Sequence, residues 1–231
     1  MDRTAIDIVT FDCYGTLIDW DGGLATFLAE LALQVGDADA PNGRVLRERW
    51  EAIQFDLIQG SYMKYDQALA ESLRLWAAER GYGWEPAWGE ALGRAMRSWQ
   101  PFPDTRPALT RIREAGGKLA IISNTDEAII AQTLRHLEVP FDAVITAESC
   151  GVYKPDPTVF AQSQGRLGVA PERILHVAFG FKYDIGPAQD AGWHSAWINR
   201  YAETKPGPAT PDHEWRDLWG LAKFFGAAVP E

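Results

Sequence analysis

The chain has 231 residues, 46% of them hydrophobic, a formal charge of −10 and an isoelectric point near 4.9. That length holds one full core plus a smaller appended domain, no apolar run approaches the roughly 20 residues that a membrane helix needs, and the acidic balance argues against nucleic acid or an anionic membrane surface as a partner. Two cysteines, Cys13 and Cys150, build neither a metal nor a disulfide framework and are expected as free thiols of a cytoplasmic protein, an expectation shared by the N-terminal apolar run, too short and wrongly flanked for a secretory signal.

The first element is the run IDIVTF, residues 6 to 11, read as a buried strand, followed by a turn-rich stretch and then LATFLAELALQVG at helical spacing. From about 43 to 100 the pattern becomes purely helical, in RVLRERWEAIQFDLIQ, YDQALAESLRLWAAERG and AWGEALGRAMRSWQ, until the prolines of PFPD, residues 101 to 104, stop helix propagation. Alternation then resumes: a helix at 105 to 115, strand KLAIIS, a helix at 126 to 138, strand FDAVIT and a helix at 158 to 168. RILHVA reads as a strand, DIGPAQDAG as a short helix, SAWIN as a strand, and EWRDLWGLAKFF as one closing amphipathic helix. Strands alternating with helices require crossover connections, and so an α/β fold: a Rossmann-like, doubly wound parallel sheet with an inserted helical cap. The expected division is a core of residues 1 to 19 and 103 to 231 and a cap of residues 20 to 102.

In such sheets ligands collect beyond the carboxyl ends of the strands, at the switch point. The strand ends offer Asp12, then Ser123 with Asn124, then Tyr153 and Lys154, then the stretch FGFKYD ending in Asp184. Each alone also fits a structural role: Asp12 as a turn residue, Ser123, Asn124 and Asp184 as helix caps, Lys154 as a solvated loop lysine. Together, an acid, a hydroxyl with an amide, an ammonium and a second acid describe one polar pocket. The histidines 136, 176, 194 and 213 are scattered without ligand spacing and read as structural. Trp50, Trp76, Trp84, Trp88 and Trp99 fall in the helical insert and read mostly as its core.

On these motifs the chain resembles the haloacid dehalogenase superfamily, and within it the L-2-haloacid dehalogenase-like (type II) branch. FDCYGTLID is similar to the family's nucleophile motif, ISN to its second, YKP to its third, and the segment closing on Asp184 to its fourth. The resemblance implies that Asp12 attacks carbon, Thr16 orients it, Lys154 offsets the negative charge and Asp184 handles the hydrolytic water. It also implies that Ser123 and nearby main-chain N–H groups bind the carboxylate of a small substrate; Cys13, Tyr14, Trp20, Asn124 and, outside the family's pattern, Lys182 are the further candidates for substrate binding. A homodimer and no cofactor or metal are implied as well.

Departures from the motifs carry further expectations. Tyr14 stands where a phosphatase of this superfamily has a second aspartate, and Phe179 stands at the position of a metal-binding one, so a magnesium-dependent phosphatase is disfavoured. Glu51 follows Trp50 where a halide-receiving arginine is expected, with Arg47 and Arg49 as substitutes; an acid there would suit an amine leaving group, such as that of azetidine-2-carboxylate, better than a halide. Phe160 replaces a tyrosine and the residues from Phe179 to Lys182 replace small polar ones, which makes Lys182 and Tyr183 new polar candidates. A catalytically silent binding module is the non-enzymatic alternative.

Overall fold

A computed structural model describes residues 2–229. The chain divides into two compact units, one of residues 1–18, 100–124 and 134–231, the other of residues 19–99 and 125–133.

The first unit is built on six parallel strands, β1 (Ile8–Phe11), β2 (Leu119–Ser123), β3 (Ala143–Thr146), β4 (Ile174–Ala178), β5 (His194–Ile198) and β6 (His213–Trp215), in the order β3-β2-β1-β4-β5-β6. Every residue of β1, β2 and β4 is buried. This is why these segments read as nearly continuous apolar runs, broken only by Thr10, Ser123 and His176: a strand covered on both faces has no solvent side to alternate with. The order runs outward from β1 in both directions, so the connections diverge between β1 and β4 and leave a crevice beyond their carboxyl ends.

The helices of this unit fall where periodicity places them: α5 (Thr105–Glu114) and α8 (Pro157–Leu167), the latter opened by Asp156, whose carboxylate accepts from the Thr158 N–H. Two expectations need correction. The closing segment is not one helix, because residues 213–215 form the edge strand β6 against β5 and only α10 (Leu218–Phe224) is helical, started by the Asp217 carboxylate accepting from the Trp219 N–H. A three-residue strand is too short to show a period of two. The chain then folds sharply back, and a Cβ on Gly220 would fall 2.3 Å from the Trp215 ring. The helix read over DIGPAQDAG is also displaced: a π-helical turn over Phe181–Ile185 contains Asp184, and the α-helix α9 starts only at Gly186 and runs to Asp190. A short helix, α7 (Ala147–Cys150), has no counterpart among the expected elements; its capping box pairs Thr146 with Ser149.

The second unit holds α1 (Trp20–Gln34), α2 (Gly43–Ile58), α3 (Tyr65–Glu79) and α4 (Pro86–Ser98), together with the first residues of α6 (Glu127–Leu137). Helix α1 begins four residues before its apolar periodicity, since the Asp19 carboxylate accepts from the Gly22 N–H and carries the turn through two glycines. Trp50, Trp76 and Trp88 are buried in this unit's interior, as their helical spacing suggested. Among the described residues, no helix is long and apolar enough to cross a membrane.

Candidate active site

Strand β1 delivers Asp12 to the crevice, and the loop that follows is fixed by its own backbone: the Cys13 carbonyl accepts from Leu17 and Ile18, and Gly15 N–H donates to the Ile18 carbonyl. This turn drives Gly15 to φ +92, a region that favours glycine, and brings its Cα face against the Phe179 ring, 3.0 Å from where a Cβ would stand. The turn also folds Thr16 back on the acid, so that Thr16 Oγ1 donates to Asp12 Oδ2 at 2.8 Å and itself accepts from the Phe179 N–H at 2.9 Å. One oxygen of Asp12 is thereby oriented through a hydroxyl whose own geometry is set by the end of β4.

The other oxygen meets Lys154. Its Nζ lies 3.0 Å from Asp12 Oδ1, 2.5 Å from Asp184 Oδ1 and 2.9 Å from the Ile122 carbonyl, so all three ammonium protons have acceptors. Lys154 is only 1% exposed, not a solvated loop lysine. Its backbone is locked by Asn124, whose Oδ1 accepts from the Lys154 N–H at 2.7 Å and whose Nδ2 donates to the Lys154 carbonyl at 2.9 Å. Asn124 is thus a clamp on the lysine and not a helix cap. Ser123 is buried, and its hydroxyl has no hydrogen-bond partner among the described residues. A buried hydroxyl left in that state is costly unless a ligand satisfies it.

Asp184 is held from a second side by His176, whose Nε2 lies 3.0 Å from Asp184 Oδ1 while Nδ1 lies 2.8 Å from Thr10 Oγ1. Sequence spacing gave no sign of this, because Thr10 and His176 become neighbours only through the parallel register of β1 and β4.

The charges are strongly biased by burial. Burial pushes the Asp12 carboxyl above the ordinary aspartate value, with Lys154 and Thr16 pulling against it and the Asp184 charge adding to the rise. Burial likewise opposes ionisation of Asp184, yet Lys154 and the His176 hydrogen bond hold that carboxyl below its usual value. For Lys154, burial would favour the neutral amine, but the two facing carboxylates raise the ammonium above the ordinary lysine value. The surroundings thus favour the charged forms of Lys154 and Asp184 and oppose the charge on Asp12. Cys13 lies fully buried beside them, its thiol pushed well up by burial and by Asp12, so no thiolate nucleophile is available there.

The other sequence candidates have these surroundings. Tyr14 is half-buried and forms a single β-bridge with Ile18. Lys182 is exposed, its ammonium 5.2 Å from the centroid of the Tyr183 ring. Trp20 belongs to the helical unit, where its ring packs on Trp50 with centroids 6.4 Å apart. In the same unit Arg47 is buried, 2.8 Å from Asp21 and 2.6 Å from Glu51, while Arg49 is exposed and paired with Glu79.

A magnesium ion, as used by phosphatases of similar sequence, finds a poor donor set here. Asp12 and Asp184 each turn one oxygen to the Lys154 ammonium, and Tyr14 and Phe179 supply no further carboxylate. Among the described residues, no group of three or more His, Cys, Asp and Glu side chains is placed to hold a metal.

An aspartate at the end of the first strand, an opposing buried lysine and a second aspartate beyond β4 form the arrangement expected from the motifs, and the sequence profile of haloacid dehalogenase-like hydrolases matches residues 6–192. The chain belongs to that family. Among its relatives, a (S)-2-haloacid dehalogenase, H-109, from Pseudomonas putida is 29% identical over 229 residues, covering 95% of this chain and 98% of its own. Among solved structures, an L-2-haloacid dehalogenase superposes with a TM-score of 0.85 at 24% identity, covering 96% of this chain and 99% of its own. Another, the L-2-haloacid dehalogenase of Xanthobacter autotrophicus with chloropropionic acid covalently bound, gives 0.80 at 22% identity over 97% and 100% of the two chains. The family hydrolase fold accounts for the six-stranded parallel sheet and for the placement of Asp12, Lys154 and Asp184 at its strand ends.

Proposed function

We propose that this hydrolase acts without a metal or organic cofactor at C2 of a small 2-substituted carboxylic acid, as an (S)-2-haloacid dehalogenase. The observation that carries the reading is the single buried ammonium of Lys154 shared by Asp12 and Asp184. A carboxylate attacking an anionic substrate needs a cation to offset the repulsion, and a lysine supplies it where no divalent ion is held.

In the first step an Asp12 oxygen forms a bond to C2, the carbon–halogen bond breaks, and the halide leaves with the electron pair. The product is an ester of Asp12. Water then attacks the Asp12 carboxyl carbon and loses a proton to Asp184. The bond between that carbon and the substrate oxygen breaks, and the departing alkoxide takes up a proton. The 2-hydroxy acid leaves and Asp12 is regenerated, for a net yield of hydroxy acid, halide and one proton. Thr16 keeps Asp12 aimed, and the partnerless Ser123 hydroxyl is the donor that a substrate carboxylate satisfies. The covalently bound chloropropionic acid of the Xanthobacter autotrophicus protein supports an ester intermediate.

A second reading has its own observation. Within the helical unit Arg47 is already ion-paired with Asp21 and Glu51, with Glu48 3.6 Å away, so the arginine has no charge to spare for a halide; if Glu51 takes the position where the resemblance expects a halide-receiving arginine, an amine leaving group, as in ring opening of azetidine-2-carboxylate, suits it better. Incubation with L-2-chloropropionate and with azetidine-2-carboxylate separates the two: chloride release supports the first reading, ring-opened amino acid alone supports the second, and turnover of neither overturns both. The expected partner is a small carboxylate, in a cytoplasmic homodimer whose stoichiometry sedimentation would measure.

A further inference from the structure

His176 is fully buried in the centre of the sheet, yet both ring nitrogens are engaged, Nδ1 with Thr10 and Nε2 with Asp184. Its ring edges meet Phe160 and Trp193, with centroids 5.8 and 6.2 Å away, and these two aromatics pack in a cluster with Ile8, Ile174 and Ala188. An apolar side chain would fill this place without any polar cost, so an imidazole here calls for an account.

An ionised carboxylate only accepts hydrogen bonds, so Nε2 must carry the hydrogen that joins His176 to Asp184, whether the ring is neutral or cationic. Thr10 accommodates either case, donating to a bare Nδ1 or accepting from a protonated one. Asp184 Oδ1 is then saturated by Lys154 and His176 from two sides. Its partner oxygen, Oδ2, lies against Gly180, where a Cβ would come within 2.6 Å of it. The carboxylate is therefore pinned by one oxygen, and the other, packed beside a glycine, takes no part in the contacts to Lys154 and His176.

We propose that His176 is a positioning residue for the second half of the reaction: its Nε2–H fixes Asp184 so that Oδ2 receives the proton of the water attacking the Asp12 ester. The role rests on the dehalogenase reading and adds to it a division of labour. Lys154 serves both half-reactions because it touches both acids, whereas His176 touches only Asp184 and serves ester hydrolysis. The charged and titratable groups facing Asp184 are Lys154, His176 and, across the lysine, Asp12.

The test compares His176→Phe, which keeps an apolar filler of similar size, with His176→Gln, whose amide can place an N–H where Nε2 stood. Rapid-quench mass spectrometry with L-2-chloropropionate follows formation and decay of the adduct on Asp12. Adduct formation is expected to stay within about 3-fold of the parent in both variants, while decay slows by about 10²-fold in His176→Phe and recovers in His176→Gln. Equal decay in parent and His176→Phe, or equal impairment of the two variants, overturns the proposal. A second readout needs no turnover: in ¹³C-carboxyl NMR the Asp184 titration moves to higher pH in His176→Phe and returns in His176→Gln, and an unmoved titration overturns the proposal. A parent that forms no adduct while the Asp184 titration still moves refutes the dehalogenase reading, and the step assigned to His176 with it, leaving the hydrogen bond established.

Discussion

Lys154 and Asp184 stand 2.5 Å apart, both buried, and the same ammonium reaches Asp12 at 3.0 Å. One cation thus serves two acids whose backbones come from opposite sides of the switch point. Removing it leaves two buried carboxylates with no cation between them.

Lys154→Met is accordingly expected to abolish turnover and to lower stability at pH 7 by about 3–5 kcal/mol. Uncompensated burial would raise both carboxyls above their unfolded values, so protonation on acidification favours the folded state and part of the loss returns between pH 7 and pH 5. Chemical denaturation at the two pH values measures this. A variant as stable as the parent at pH 7 would contradict the ion cluster.

Asp12→Asn should show the opposite split. Because burial raises the Asp12 carboxyl, its charge opposes folding at neutral pH, and Lys154 retains Asp184 when that charge is removed. Chloride release from L-2-chloropropionate is expected to fall below detection while Tm stays equal to the parent's or rises. A lowered Tm would mean that the Asp12 charge supports the fold.

In the proposed reaction Asp12 attacks only when ionised, so the acid limb of activity is expected to follow its carboxyl. Its elevated carboxyl loses the proton later than an ordinary aspartate, so single-turnover alkylation should fail on acidification before free aspartate would protonate. Asp184→Asn removes a neighbouring negative charge that contributes to that elevation, and the limb should move to lower pH. On the alkaline side the signs reverse. The raised Lys154 ammonium contributes stability that is fully present below the free lysine value of 10.5 and is lost as pH rises through its higher folded value. Urea midpoints across pH 8 to 12 follow the second effect.

Chelation by EDTA, or addition of millimolar Mg²⁺, should leave turnover within about 2-fold, since Asp12 and Asp184 each commit an oxygen to Lys154 and Tyr14 and Phe179 add no further carboxylate. Activity that vanishes with EDTA and returns with Mg²⁺ would overturn the metal-free reading.

Gly180→Ala probes the Asp184 geometry without touching any charge. The Gly180 backbone, at φ −69 and ψ 93, is open to alanine, so the whole effect arises where the new methyl meets Asp184 Oδ2. A displaced carboxylate should slow ester decay by about 10²-fold and leave adduct formation near its parent rate. Quench-flow separates the two steps.

Much of this was legible in the chain. Asp12, Ser123, Lys154 and Asp184 are found by following each apolar run to its carboxyl end, because a parallel sheet brings those ends together. What stayed hidden lies in register. Thr10 and His176 are separated by most of the sequence and become neighbours only when β1 pairs with β4, a fact that spacing along one strand does not encode. Asn124 read equally well as a cap, and its clamp on Lys154 depends on where a distant loop lands. Lys182, a candidate because it precedes Asp184 by two residues, is exposed on the π-helical turn of residues 181–185, a winding that apolar periodicity does not announce.

The strand order has a consequence for biosynthesis. The Ile8–Phe11 segment leaves the ribosome long before its partners, since Val9 meets Leu119 and Ile8 meets Ile174. A largely apolar ribbon must therefore wait for more than a hundred further residues before either flank is covered, a long-range closure that slows folding and invites association between nascent chains. Yield in cells should respond to chaperone supply and growth temperature even where the finished enzyme is robust.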